Sequence, residues 1–279
     1  MIRHQFIRNI LSLRFLLIGV VSFVLMFVQY WTAHHAGFIL TKGAPTFLRD
    51  VMLFSPDGAG TGLYLFLLPF LAALLGGSVI AVERHSGRMK ELLAREGRGR
   101  IMRTSMASGF ILGGIGGVMP LLLNLMVAAA LNPHMSFIDG SSVLDKEPML
   151  PPFVLIDATS WAYPLYQRSQ LLLILVIVLM VFVISGFFAD IAVGSSFFTT
   201  HKYVELLIPF VASVLWWMLP ALTDSKVPDQ WSHNIFLSFY AGGEPYYRMQ
   251  NYVGMVLAVL LPSIACIVMM IVERRRDAL

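Results

Sequence analysis

The chain has 279 residues, 57% hydrophobic and only 13% charged, with 20 Phe and 16 Met, a balance that excludes an ordinary water-soluble domain. Its formal charge of +4 does not mark a nucleic-acid binder, because the basic residues stand beside apolar runs, where positive charge sets membrane orientation. Cys266 is the single cysteine and lies within the last apolar run, which excludes an intramolecular disulfide and a cysteine-based metal cluster.

Residues 1–14 are amphipathic, with Ile2, Phe6, Ile10 and Leu13 set against Arg3, Arg8 and Arg14, and are expected to form an interfacial segment that enters the first span. No small-residue cleavage pattern follows, so that span is expected to stay in the protein. Runs of about 20 apolar residues, the length that crosses a bilayer, occur at Phe15–Trp31, Leu63–Val82, Ser105–Leu131, Leu171–Val193, Tyr203–Leu222 and Val253–Val272. The expected fold is all-α, a polytopic membrane protein of six spans forming one domain over 1–279. The third run is the least uniform. Gly109, Gly113 and Gly117 share one of its faces at spacing four, which suits close helix packing, and Asn124 is its one strongly polar side chain, a candidate for lining a path. Pro69, Pro120, Pro209 and Pro262 each remove a mid-span donor and mark expected bends. Pro148, Pro151 and Pro152 argue for irregular backbone between spans three and four.

An even number of spans puts both ends on one side. That side receives Arg3, Arg8, Arg14, the seven basic residues from Arg84 to Arg103, Lys202 and Arg274 to Arg276; the other receives only Lys42, Arg49, Lys146, Arg168, Lys226 and Arg248 among several acids. The first side is therefore expected to be cytoplasmic, in a plasma (inner) membrane. Trp31, Trp161, Tyr163, Tyr166, Tyr246 and Tyr247 fall near outer span ends, as headgroup-level anchors do.

The segment Glu83 to Arg103, ERHSGRMKELLAREGRGRIMR, lies between spans two and three. Ser86 is a candidate helix cap, and Met89, Leu92 and Leu93 then form a narrow apolar stripe amid charge, ended by Gly97 and Gly99. A short amphipathic helix is expected there, lying on lipid or on another protein.

This stretch, with Glu83, Gly87, Leu92, Leu93, Arg100 and Arg103 as matching positions, resembles the signature after the second span in ATP-binding-cassette type 2 permeases. Ala94, Arg95 and Glu96 stand where many members carry Pro, a small residue and Arg. The resemblance implies a permease subunit of an exporter for an amphipathic or hydrophobic substrate such as a peptide, lipid or drug-like molecule. It further implies that 83–103 is the coupling segment seated on a separate cytoplasmic ATPase, with Met89, Leu92 and Leu93 as apolar contacts and Arg88, Lys90 and Arg95 as a charged rim. A second permease, identical or different, would complete the path, and ATP and Mg would be held by the ATPase. The absence of a G-x-x-x-x-G-K-[ST] loop from this sequence fits that division of labour, so the chain itself is not expected to be an enzyme or to bind a cofactor.

Asp190 and Glu205 fall near the inner ends of spans four and five, flanking His201 and Lys202, and are candidates for an inner ionic network or for snorkelling to the interface. Ser195, Ser196 and His201 are neighbours in sequence but lack the Gly-x-Ser-x-Gly elbow of a hydrolase. His34 and His35 are adjacent rather than three or four apart, and no His-Glu-x-x-His occurs, so no metal site is expected. The rival expectation is an ATP-independent membrane protein: a small secondary transporter, an immunity protein or an assembly scaffold.

Overall fold

A computed structural model describes residues 7–35, 47–55, 58–85, 87, 89, 92, 94, 97–131, 156, 160–199, 203–224, 226–238 and 245–276. Among these residues the regular elements are all helical, and six spans are long and apolar enough to cross a membrane. The first is α1 (Leu13–His35). The second is built from α2 (Gly60–Ala72), a wide π turn (Ala73–Gly77) and α3 (Ser78–His85). There follow α4 (Arg98–Leu131), the short α5 (Tyr163–Arg168), α6 (Gln170–Ser196) and α7 (Val204–Leu222). A 3₁₀ turn at Asp229–Trp231 and the single-turn α8 (His233–Phe236) lead to α9 (Pro245–Arg276).

The six apolar runs lie where expected, but several helices continue beyond them. α4 begins at Arg98 and α9 at Pro245, because backbone hydrogen bonding continues through polar turns that a count of apolar residues rejects. The large side chains left on the outside are themselves apolar: Leu16, Phe23, Val24 and Phe27 on α1, Leu207, Val211 and Leu215 on α7, and Val256, Leu260, Ile264 and Ile267 on α9 are all exposed. Water would not tolerate such a surface and lipid does. The architecture is that of a multi-pass membrane protein.

α6 is the central helix, packed against α4, α7, α9 and the π turn. Its partners approach closely because the contact is made by small residues. A methyl group added at Gly76 would lie 2.5 Å from Ala189 Cβ, and one at Gly77 2.6 Å from Ala192 Cβ. From the α4 side, a methyl at Gly109 would meet Val193, at Gly113 would fall on Ala189 Cβ and at Gly117 on Ser185. Without a hydrophobic difference between protein and lipid, this backbone proximity and its dispersion energy hold the helices together. The π turn follows Pro69, whose missing N–H leaves the helical ladder one donor short. Of the other expected bends, Pro120, Pro209 and Pro262 all lie within helices that continue through them.

At the end of the bundle away from the termini, Asn124 secures the segment 47–55. Its Oδ1 accepts the Met52 N–H at 2.6 Å and its Nδ2 donates to the Asp50 carbonyl at 3.0 Å, while His34 Nε2 and Asp50 Oδ1 are 3.0 Å apart. The connection between α7 and α9 folds back onto the bundle. The indole N–H of Trp216 donates to the Trp231 carbonyl at 3.0 Å, and that of Trp161 to the Phe236 carbonyl at 2.6 Å. His233 is 4% exposed, 3.3 Å from Ser213 Oγ, and burial pushes its imidazole down to about 4, so it is neutral. The prolines expected to break up the third-to-fourth connection, Pro148, Pro151 and Pro152, lie outside the described residues.

Candidate functional site

The end of the bundle that carries Ile7 and Glu273 concentrates the buried charge. Residues 7–10 are helical and reach the second span: Arg8 makes an ion pair with Glu83, and Ser78 Oγ donates to Asn9 Oδ1 at 3.2 Å. Asn9 is 2% and Glu83 6% exposed, so part of the N-terminal segment is docked on α3 rather than lying free on a surface. Arg84, next in sequence, donates to the carbonyls of Ser196 and Thr199. A cation placed there satisfies acceptors left over at the end of α6 and opposes its dipole. The end of span two is thus tied to the N-terminal segment on one side and to span four on the other.

Beyond these ties the chain enters the segment 83–103. Gly87 adopts φ +77, a left-handed conformation that turns the chain after α3 at little cost for glycine. Met89, Leu92 and Ala94 have helical backbone, and Ala94 is exposed. Met89 and Leu92 are half-buried and pack onto a cluster of Ile80 from α3, Ile101, Met102 and Met106 from α4, Val193 from α6 and Cys266 from α9. Two of the three side chains read as contacts for a partner therefore lean on the chain's own spans. Leu93 and the basic rim, Arg88, Lys90 and Arg95, lie outside the described residues, as does the cap candidate Ser86.

The remaining sequence candidates are distributed differently from their expected grouping. Asp190 is 9% exposed in α6, with Oδ1 buried and without a hydrogen bond among the described residues; its neighbours include Gly109 and Cys266. Glu205, 3% exposed, interacts instead with Arg14. No hydrogen bond or ion pair joins Asp190 to Glu205 among the described residues, and His201 and Lys202 lie outside them. Asn124 has both ends of its amide engaged by backbone, which makes it a clamp for 47–55 rather than an open polar lining. Gly109, Gly113 and Gly117 form the close α4–α6 contact described above.

Sequence reading did not find the Arg8 to Glu83 pair or the Arg84 contacts. The nearest signal was an acidic residue directly after an apolar run with basic residues upstream, and nothing in that pattern names the partner. Among the described residues no group of three or more His, Cys, Asp or Glu side chains is arranged to hold a metal ion. Comparison with protein-family models, curated proteins and solved structures finds no match. The class these observations define is a multi-pass membrane protein whose regular elements are all helical among the described residues, with the buried acids Glu83, Asp190, Glu205 and Glu273 toward one end.

Proposed function

We propose that the chain is the permease subunit of an ATP-driven exporter, moving an amphipathic or hydrophobic molecule with energy from a separate cytoplasmic ATPase. The observation that carries this reading is the position of Met89 and Leu92. They rest on a cluster to which spans two, three, four and six all contribute, so a push on this segment is delivered to four spans at once. Glu83, Gly87 and the Leu92–Leu93 pair are also the positions at which the sequence resembles type 2 permeases. In this reading both termini and the 83–103 segment face the cytoplasm, a second permease completes the path, and ATP and Mg reside on the ATPase.

Affinity purification of the full chain in mild detergent, with mass spectrometry of what accompanies it, tests the proposal. Leu92→Ser is a poor probe because it also loosens the chain's own cluster, whereas Ala94 is exposed. The expected result is an ATPase subunit with the native chain and its loss from Ala94→Glu at unchanged bundle stability. Absence of any ATPase under conditions that preserve other membrane complexes overturns the exporter. One observation favours an ATP-independent carrier instead: Asp190 is an ionisable group buried within a span, the feature on which ion coupling is built. Substrate movement in vesicles that follows an ion gradient, and stops in Asp190→Asn, selects that alternative.

A further inference from the structure

A cleft of about 200 Å³ opens between α1, α3 and α7, at the end that carries Ile7 and Glu273. Its polar lining comes from Arg14, Ser78, Tyr203 and Glu205, and Ala81, Val82 and Leu206 supply apolar walls. Arg14 and Glu205 sense each other's charge, yet they form no ion pair with one another among the described residues. Arg14 Nη1 is buried without a hydrogen-bond partner there, and Glu205 is 3% exposed. A cation and an anion therefore line one small space without closing on each other. Leaving the Arg14 nitrogen desolvated and unpaired is unfavourable, and a ligand that carries the opposite charges in the opposite order gives both it and the Glu205 carboxylate a partner.

The position of the cleft narrows the ligand. Arg14 and Glu205 are each the second residue of a spanning helix, which places them at the edge of the hydrocarbon, where headgroups lie. Tyr203, which also lines the cleft, is 63% exposed and holds φ +70, a left-handed backbone conformation uncommon for an aromatic residue. Of the apolar walls, Leu206 stands one residue deeper in α7 than Glu205.

We infer that this cleft binds the headgroup of a membrane phospholipid carrying both a phosphate and a primary amine. Arg14 takes the phosphate and Glu205 the ammonium. The amine matters because an ammonium donates charge-assisted hydrogen bonds to a carboxylate, whereas a trimethylated amine has no N–H and a glycerol headgroup no positive charge. A bound lipid of this kind would tie α1 to α7, and it does not depend on the exporter reading.

Native mass spectrometry of the delipidated full chain, titrated with phosphatidylethanolamine, phosphatidylcholine or phosphatidylglycerol, measures the selectivity. The expected result is one retained ethanolamine lipid, bound about tenfold more tightly than the other two, the factor of one charge-assisted hydrogen bond of about 1.5 kcal/mol. Arg14→Gln should weaken all three lipids and Arg14→Lys should restore binding. Glu205→Gln should remove the preference for the amine while leaving phosphate binding, a change of selectivity that a merely destabilised bundle does not produce. Equal binding of the three lipids by the native chain overturns the inference, as does an unchanged preference in Glu205→Gln. Soluble glycerophosphoethanolamine competing as well as the intact lipid would assign the cleft to a free metabolite and overturn the lipid.

Discussion

Gly113→Ala is the sharpest test of how the bundle is held. The added methyl would fall on Ala189 Cβ and lie 3.1 Å from the Ser185 carbonyl and 3.3 Å from that of Ala72, so two of its three neighbours are backbone of other elements and cannot rotate away. Overpacking of this kind costs about 1–3 kcal/mol. Gly62→Ala is the matched control, since a methyl there meets nothing within 4 Å and should gain up to about 1 kcal/mol of helix propensity. Thermal unfolding in a single detergent should separate the two variants by on the order of 5 °C, taking about 2–4 °C per kcal/mol for a chain of this size. Adding Ala189→Gly to Gly113→Ala removes the obstructing Cβ and should recover part of the loss, with a coupling of about 0.5–3 kcal/mol. If Gly113→Ala matches Gly62→Ala in stability, or Ala189→Gly gives no recovery, the α4–α6 contact does not hold the bundle as described.

Asn124→Leu should cost about 2–4 kcal/mol, because the Met52 N–H and the Asp50 carbonyl lose their partners in a buried place; faster proteolysis within 47–55 should accompany the lower melting temperature. His233 gives a pH dependence with a definite sign. Its imidazole titrates near 4 when folded and 6.5 otherwise, so the unfolded chain binds the proton first and stability falls as pH drops from 6.5 toward 4. The full loss is about 3 kcal/mol at 1.36 kcal/mol per unit. Thermal melts across that window should show a slope that His233→Gln flattens, and parallel slopes for the two proteins would refute the assignment.

The spans were legible because in lipid each must satisfy its own backbone, which makes a helix visible as one unbroken apolar run. Their ends were less so: residues 98–103 carry three arginines yet continue α4, and no apolar count detects a helix that leaves the hydrocarbon. The small-residue face of Gly109, Gly113 and Gly117 could be read from spacing alone, but not that its partner would be Ser185, Ala189 and Val193. Contacts between distant positions were hidden for the same reason. Arg8 and Glu83 are 75 residues apart, and either alone reads as a charge at a membrane edge. Asn124 was visible as a polar group in a span, and its role as a clamp depended on a segment 72 residues away. The inward fold of the α7–α9 connection rests on indole and imidazole contacts with no local pattern.

The wide turn at Ala73–Gly77 gives the second span a property that a plain helix lacks. Above it, Tyr64 is fixed by the hydrogen bond from its hydroxyl to the Gly117 carbonyl at 2.7 Å; below it, Glu83 holds Arg8 and Arg84 holds the end of α6. Because a π turn holds one residue more than an α turn and each residue of a helix accounts for about 100° of rotation, the lower half presents Glu83 and Arg84 in a direction that an unbroken α-helix would not give them. The span is thus a fixed offset between two separately anchored halves.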